Sequence, residues 1–236
     1  MMNEHTAKAF DVDLQELLRN VAEMGGLTEK QIADSVAALI RRDVDLAKRV
    51  VAADAAVDAL QHEIEEKAVL TIARRQPMAI DLRDVVGALR VSNDLERIGD
   101  LAKNIAKRVT ALNGEFHPQK LVRGVEHMAT LVLGQLKRVL DSYAGRDLAS
   151  ALAVWKGDEE IDAMCTSLFR ELLTYMMEDP RNITFCIHLM FCAKNIERMG
   201  DHATNIAETV YYMIEGRTIA DQRPKGDTTA FANMQA

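Results

Sequence analysis

Two stretches of the chain contain the same row of oxygen-bearing side chains. "ERIGDLAKN" begins at Glu96 and "ERMGDHATN" begins at Glu197, and each places two acids and an asparagine at four-residue spacing. Residues four apart are neighbours on a helix surface. Carboxylate and amide oxygens suit hard cations such as magnesium, calcium, manganese or iron better than zinc. The sequence therefore predicts candidate metal ligands at Glu96, Asp100, Asn104, Glu197, Asp201 and Asn205.

These acids are retained at a cost to helix stability. Two like charges four residues apart on a helix repel by about 0.2 to 0.5 kcal/mol. Of the thirteen residues from Asp94 to Ala106, eight are identical in the stretch from Asn195 to Ala207, whereas most of the chain repeats only its apolar pattern. This identity favours a functional role, and a merely solvated charged face remains the alternative.

A second set of acids repeats at the same interval. Asp54 and Asp58 correspond to Asp158 and Asp162 at an offset of 104 residues. They flank the apolar faces of the helices predicted below. They are additional metal-ligand candidates, with a purely structural role at the edge of a bundle as the alternative.

The elements that must position these acids are helices. Only 4 prolines and 12 glycines interrupt long stretches of 3.6-residue apolar periodicity, which predicts an all-α fold. Stop and cap signals divide the chain into six helices. Their approximate bounds are 6–42, 43–75, 77–112, 118–144, 147–178 and 180–215. Gly25 and Gly26 are expected to bend the first helix without ending it.

The repetition extends over almost the whole chain. The apolar positions of the first and fourth helices match at an offset of 104, and Pro77 matches Pro180 at 103. The sequence therefore predicts two tandem three-helix bundles related by internal duplication. The first spans 8–112 and the second 118–216. Residues 217–236 lose the periodicity and predict a mobile tail.

Helical periodicity also predicts where the acid rows point. One side of the third helix is apolar and contains Leu95, Ile98, Ala102, Ile105, Val109 and Leu112. The sixth helix repeats this with Ile196, Met199, Ala203, Ile206, Val210 and Met213. The acids lie on roughly the opposite side, so we expect them on the outer surface. A ferritin-like di-iron centre is excluded, because its ligands project inwards and include Glu-x-x-His pairs, which the chain lacks. Gly99 and Gly200, inside these helices, predict close approach of a neighbouring helix or a ligand.

Composition narrows the setting. The net charge is −7, which argues against nucleic acid and anionic membrane surfaces as main partners. The three cysteines lack metal or disulfide spacing and are read as small core residues. No secretory signal or spanning apolar run is visible, which predicts a cytoplasmic protein without direct membrane insertion.

With its duplicated E-x-x-x-D-x-x-x-N motif, the chain resembles the PhoU family of phosphate-uptake regulators from about residue 8 to 216. This resemblance implies a cytoplasmic, often dimeric adaptor between the phosphate ABC transporter, with its ATPase and permease subunits, and a sensor histidine kinase. It also implies negative regulation of the phosphate-starvation response. Some members bind metal clusters on these motifs, which places iron, manganese, magnesium, nickel or zinc at the six candidate ligands and the four additional aspartates.

The same carboxylates leave two other functions open. A metal-dependent phosphoester hydrolase or a metal-storage bundle could use them. A purely structural helical scaffold would not need them. No activated nucleophile, phosphate-binding glycine loop or histidine cluster is present in the sequence, so it predicts a protein that is not an enzyme.

Overall fold

The computed structural model describes residues 2–112 and 119–220, with side chains for 9–112 and 120–220. The described residues form seven α-helices and no strand. The helices are α1 (Met2–Arg41), α2 (Val44–Arg75), α3 (Ile80–Ala111), α4 (Gln119–Gly145), α5 (Leu148–Lys156), α6 (Asp158–Glu178) and α7 (Ile183–Glu215), and a 3₁₀ turn over Pro180–Asn182 precedes α7. The predicted all-α fold is confirmed.

Aspartate caps explain where α2 and α5 begin. Asp43 accepts a hydrogen bond from the Leu46 backbone N–H at 2.8 Å, and Asp147 accepts from that of Ala149 at 3.0 Å. Such caps satisfy backbone donors that a helix start leaves unpaired. The third helix starts later than predicted, at Ile80, because Gln76 and Ala79 adopt φ angles of 49° and 50°. The connection between the third and fourth predicted helices, residues 113–118, lies outside the described residues.

The single helix predicted over 147–178 is wrong. The structure divides it at Gly157 into α5 and α6. The backbone N–H of Gly157 still bonds to Ala153 and Val154, but its carbonyl accepts a hydrogen bond from Gln135 Nε2 of α4 at 2.9 Å. Glycine weakens a helix interior, and at this break the Gln135 side chain forms a hydrogen bond with the Gly157 carbonyl. The second half is therefore built from four helices in place of three continuous ones.

Each half packs around the apolar sides predicted from periodicity. Helices α1, α2 and α3 form the first bundle, and α4 to α7 form the second. The twelve apolar residues predicted to face the core are all buried: eleven lie in α3 and α7, and the twelfth, Leu112, directly follows α3. Cys186 and Cys192 are buried and Cys165 is partly buried, and all three are free thiols. Helix α1 continues unbroken through Gly25 and Gly26.

The two bundles meet mainly along α3 and α7. Arg83 Nε donates to the Met213 carbonyl at 3.3 Å, the Arg90 guanidinium lies 4.8 Å from the centroid of the Tyr212 ring, and Arg108 lies 4.1 Å from that of Phe191. Residue numbers rise along α3 as they fall along α7, so these helices are antiparallel. This arrangement is the one expected for two repeats facing each other.

No helix in the described part of the chain is long and apolar enough to cross a membrane. Of the tail predicted over 217–236, only residues 217–220 are described, and they follow the end of α7 without helical structure. Residues 221–236 lie outside the described part of the chain.

The contact between α3 and α7 predicts a stability difference between two glycine variants. A Cβ at Gly87 of α3 would lie 2.3 Å from Met213 Sδ, whereas a Cβ at Gly26 of α1 would meet nothing within 4 Å. Gly87→Ala should lower the free energy of unfolding, since overpacking a core costs about 1 to 3 kcal/mol. Gly26→Ala should raise it by about 0.5 to 1 kcal/mol through helix propensity. Urea unfolding at pH 7 measures both. A Gly87→Ala variant as stable as Gly26→Ala would contradict the close packing.

Candidate metal centre

The acid rows of α3 and α7 are more covered than the sequence predicted. Glu197 is 6% exposed and the Glu96 side chain 12%, while Asp100 and Asp201 are half-buried. The expectation that the acids lie on the outer surface is therefore wrong for the glutamates. The physical reason is that α2 packs beside α3, and α6 beside α7, covering the N-terminal part of each row.

Two glycines allow this coverage. A Cβ at Gly99 would lie 2.9 Å from Gln31 Oε1 of α1 and 3.8 Å from Asp54 Oδ1 of α2. A Cβ at Gly200 would lie 3.2 Å from Ile161 Cδ1 and 3.4 Å from Asp158 Oδ1 of α6. The predicted close approach of neighbouring helices is confirmed. It brings the additional aspartates next to the acid rows.

The first acidic face comprises Asp54 and Asp58 of α2 with Glu96 and Asp100 of α3. Lys103, one turn after Asp100, donates from Nζ to Asp100 Oδ1 at 2.6 Å and also to Asp54. Asp54 is 5% exposed. Burial works to lower the pKa of Lys103, but the hydrogen bonds to the two aspartates outweigh it and raise that pKa. Lys103 therefore remains an ammonium group and neutralises part of this face.

The second acidic face comprises Asp158 and Asp162 of α6 with Glu197 and Asp201 of α7. The position equivalent to Lys103 is Thr204, whose hydroxyl lies 3.4 Å from Asp158 Oδ1 and 3.1 Å from the Gly200 carbonyl oxygen. Lys194 Nζ donates to Glu197 Oε1 at 2.8 Å. Glu197 Oε2 is buried, and no hydrogen-bond donor in the described part of the chain reaches it.

Glu96 and Glu197 both have a raised pKa, for the same reasons. Burial raises the pKa of Glu96, Arg97 lowers it, and the charges of Asp100 and Asp58 raise it again. Burial likewise raises the pKa of Glu197, Lys194 lowers it, and Asp201 and Asp162 raise it. Removal from water and nearby like charges both disfavour an ionised carboxylate. The sequence-predicted acids of each half are thus close enough to act on one another.

The asparagines of the two motifs do not share one environment. Asn205 Nδ2 donates to Asp94 Oδ1 of α3 at 3.3 Å, and His202 Nδ1 lies 2.8 Å from the same oxygen. Asn205 therefore lies at the contact between α3 and α7, and His202 belongs to that contact as well. Asn104 is exposed on α3.

The residues of both faces fit a metal ion only in part. Among the described residues, no three His, Cys, Asp or Glu side chains are arranged so that they could hold a metal ion as they stand. On the first face the Lys103 ammonium already bonds Asp54 and Asp100, so a metal ion bound by these two would have to displace it. On the second face Lys194 donates to Glu197 Oε1. Glu96 on the first face and Glu197 on the second each keep one buried oxygen, Oε2, without a hydrogen-bond partner in the described structure, and such oxygens suit a hard cation.

Two residues of the site escaped the sequence interpretation. Lys103 follows Asp100 at three-residue spacing, a signal for an ion pair on one helix, and its mismatch with Thr204 was visible in the repeat. Gln31 is 4% exposed, and neither of its amide atoms has a hydrogen-bond partner in the described structure. Only the packing of α1 against Gly99 reveals its position.

These features define a class of protein: a duplicated helical bundle with one partly buried acidic face in each half. The PhoU domain family matches residues 21–109 and 125–210. A Rhizobium meliloti protein called a phosphate-specific transport system accessory protein PhoU homolog is 58% identical over 230 residues, covering 98% of this chain and 97% of that protein.

Two solved structures have the same fold. PhoU from Pseudomonas aeruginosa aligns with a TM-score of 0.82 and 38% identity, covering 88% of this chain and 100% of that one. The phosphate transport system regulatory protein PhoU from Streptococcus pneumoniae aligns with a TM-score of 0.83 and 26% identity, covering 90% and 100%. The chain belongs to the PhoU family.

The raised pKa of Glu197 predicts a pH-dependent effect of Glu197→Gln. A raised folded-state pKa means that the folded protein holds this proton more tightly than the unfolded chain, so ionisation removes stability as pH rises above the ordinary value of 4.5. Relative to the unsubstituted protein, the Gln variant should therefore gain stability between pH 4 and pH 7. Urea unfolding in the presence of EDTA measures this difference.

The matched control is Glu66→Gln, at an exposed position of α2. The stability of this control relative to the unsubstituted protein should change less over the same pH range. A stability difference for Glu197→Gln that stays constant with pH would contradict the predicted linkage.

Proposed function

We propose that this chain is a cytoplasmic negative regulator of phosphate uptake and phosphate-starvation signalling. It acts as an adaptor, without catalysis, between the ATPase and permease subunits of a phosphate ABC transporter and a sensor histidine kinase. The working form is a homodimer. Membership of the PhoU family and the names of the relatives, which are accessory and regulatory proteins of phosphate transport, support the transporter side of this proposal.

The adaptor role is supported by one observation: equivalent apolar side chains are exposed at the same end of each half. We call these regions the apolar tips. The first tip surrounds the connection from α2 to α3 and the second the connection from α6 to α7. They contain Leu70, Met78 and Ile80 in the first half and Leu173, Met177 and Ile183 in the second.

The exposure of these side chains is large. Met78 and Met177 are 79% and 85% exposed, and Ile80 and Ile183 are 54% and 41% exposed. Ile80 corresponds to Ile183, and Leu70 to Leu173, at an offset of 103 residues. Clustered apolar exposure is typical of surfaces that bind other proteins. Duplicated tips suit a protein that contacts two partners.

The acidic faces supply the second part of the proposal. We propose that they bind metal ions, divalent or trivalent, and that metal occupancy changes which surface the adaptor offers. Hard oxygen donors on two neighbouring helices support this role, since a cation between helices would alter how they pack. A bound ion would supply positive charge to carboxylates that burial makes costly to ionise.

The alternative of a metal-dependent hydrolase or a metal store is not favoured. The relatives are named as accessory or regulatory proteins of phosphate transport. The apolar tips add an observation that the adaptor explains and a store does not require.

Substitutions at the tips test the adaptor role. Ile80→Asp and Ile183→Asp should each weaken binding to at least one of the two partners, by about tenfold or more, because a charge replaces an apolar contact in an interface. Purified ATPase subunit and kinase domain, titrated separately against each variant, measure this loss. In cells, each variant should raise a phosphate-starvation reporter under high phosphate, as deletion of the gene should.

Ala22→Asp, at an exposed position in the middle of α1, is the control and should behave like the unsubstituted protein. Unchanged binding by both tip variants would overturn the assignment of the tips. A reporter that stays repressed after deletion would overturn the regulatory function.

Removing one acid from each face tests metal binding. The double variant Asp100→Ala with Asp201→Ala should lose Mn²⁺ binding while its helical circular dichroism stays unchanged. The control is Glu65→Ala with Glu171→Ala, at exposed positions of α2 and α6. Titration of Mn²⁺ into each metal-free protein measures the difference. Unchanged Mn²⁺ binding by the Asp100 and Asp201 double variant would reject the acidic faces as the metal site.

A further inference from the structure

We propose that an apolar groove in the second half binds an amphipathic helix of a partner protein that carries acidic residues beside its apolar side. The groove lies between α6 and α7 and has a volume of about 410 Å³. It is lined mainly by apolar side chains, which include Cys165, Phe169 and Leu172 of α6 and Ile187, Met190 and Phe191 of α7. We call it the α6–α7 groove. It shares no lining residue with the apolar tips and is therefore a further contact surface.

Three of the lining side chains are exposed although they are large and apolar. Phe169, Ile187 and Phe191 are 36%, 41% and 50% exposed. Large apolar side chains that are exposed together on one surface are typical of protein-binding sites. Covering them with a partner removes their apolar area from water, which favours association.

Comparison of the two halves indicates that the fold does not require the two phenylalanines. At the offset of 104 that relates α2 to α6, Phe169 corresponds to Glu65. At the offset of 101 that relates the two acid rows, Phe191 corresponds to Arg90. The first half packs with charged residues at both positions, so packing within one half does not explain the phenylalanines. They point to a contact that only the second half makes.

Basic side chains surround the groove, although the net charge of the chain is −7. Arg170 of α6 is exposed next to the groove, at the position where the first half has Glu66. Lys194 of α7 lines one end of the groove. The Arg108 guanidinium of α3 lies 4.1 Å from the centroid of the Phe191 ring. Acidic residues on the occupant would complement these charges and favour it over a basic helix.

The shape of the groove suits a single helix. Ile187 and Lys194 both line it and are seven residues apart on α7, which is two turns or about 10 Å. An amphipathic helix presents apolar residues at i, i+3, i+4 and i+7 over the same length. Side chains of such a helix can pack as a ridge into the depression between two neighbouring helices. Lys194 also donates to Glu197, so it lies between the groove and the second acidic face.

A designed peptide tests the groove. The probe is a labelled helical peptide of about 18 residues, with leucines at i, i+3, i+4 and i+7 and glutamates beside them. A matched peptide has lysines in place of the glutamates. In fluorescence polarisation with the full chain, the acidic peptide should bind once per chain, at least about tenfold more tightly than the basic peptide, and more weakly as salt is added. Equal affinity of the two peptides, or no binding of the acidic one, would overturn the inference.

Substitutions by the residues of the first half locate the binding. Phe169→Glu and Arg170→Glu each install the residue type that the first half has at the equivalent position, so both variants should keep their helical circular dichroism. Each should bind the acidic peptide about tenfold more weakly or worse, because an apolar contact or a complementary charge is replaced by a repelling one. Unchanged affinity in both folded variants would reject the groove as the binding site.

The matched controls lie on α2. Val69→Glu replaces an apolar side chain that is 61% exposed, and Arg49→Glu reverses an exposed positive charge. Both should bind the acidic peptide like the unsubstituted protein. Ile80→Asp, at the first apolar tip, should also bind it normally. Failure of the tips as partner sites is therefore distinguishable from failure of the groove.

Two other occupants are outcomes of the same experiments. If light scattering shows a dimer for the unsubstituted chain and a monomer for Phe169→Glu, a second copy of the chain covers the groove, and the inference is overturned. If laurate binds the unsubstituted chain but not Phe169→Glu, and the acidic peptide binds neither, the groove holds a fatty acid and the inference is again overturned.

Discussion

Helices α3 and α7 pack against each other in antiparallel fashion, and each also supplies the apolar side of its own bundle. Each helix therefore has to satisfy neighbours on several sides along its length. Gly87 makes room for Met213. Asn205 donates a hydrogen bond to the Asp94 carboxylate, and His202 Nδ1 lies within hydrogen-bonding distance of the same oxygen. Because these sides are occupied, the side of α3 and α7 that carries the acid row packs against the helix of the same half that carries the additional aspartates. That helix is α2 in the first half and α6 in the second. The positions of both acidic faces follow from this contact.

Packing a second helix over an acid row changes its chemistry. Carboxylates ionise readily in water, but ionisation becomes unfavourable once another helix covers them. A nearby cation then stabilises the ionised form. In the first half the chain supplies that cation itself through Lys103. In the second half the same position holds Thr204, and Lys194 donates to Glu197 from the preceding turn of α7. Burial raises the pKa of both Glu96 and Glu197, so the two faces share this cost.

The sequence predicted the helices and the repeat because a long amphipathic pattern determines helix type and the side that faces the core. Leu95, Ile98 and their equivalents on α7 were placed correctly for this reason. The burial of Glu197 was missed because periodicity ranks the sides of one helix and does not tell which side a further helix covers. The break at Gly157 was missed because it involves Gln135, which approaches from another helix. Metal binding by the acids stays a prediction.

The apolar tips lie at the N-terminal ends of α3 and α7, and antiparallel packing puts these ends at opposite extremes of the molecule. Helix α3 has 32 residues, so at about 1.5 Å per residue the two ends are separated by about 48 Å. Any two proteins bound at the tips would be held apart by a rigid spacer of that length. Helices α3 and α7, which carry the acid rows of both faces, would form the most direct connection between them.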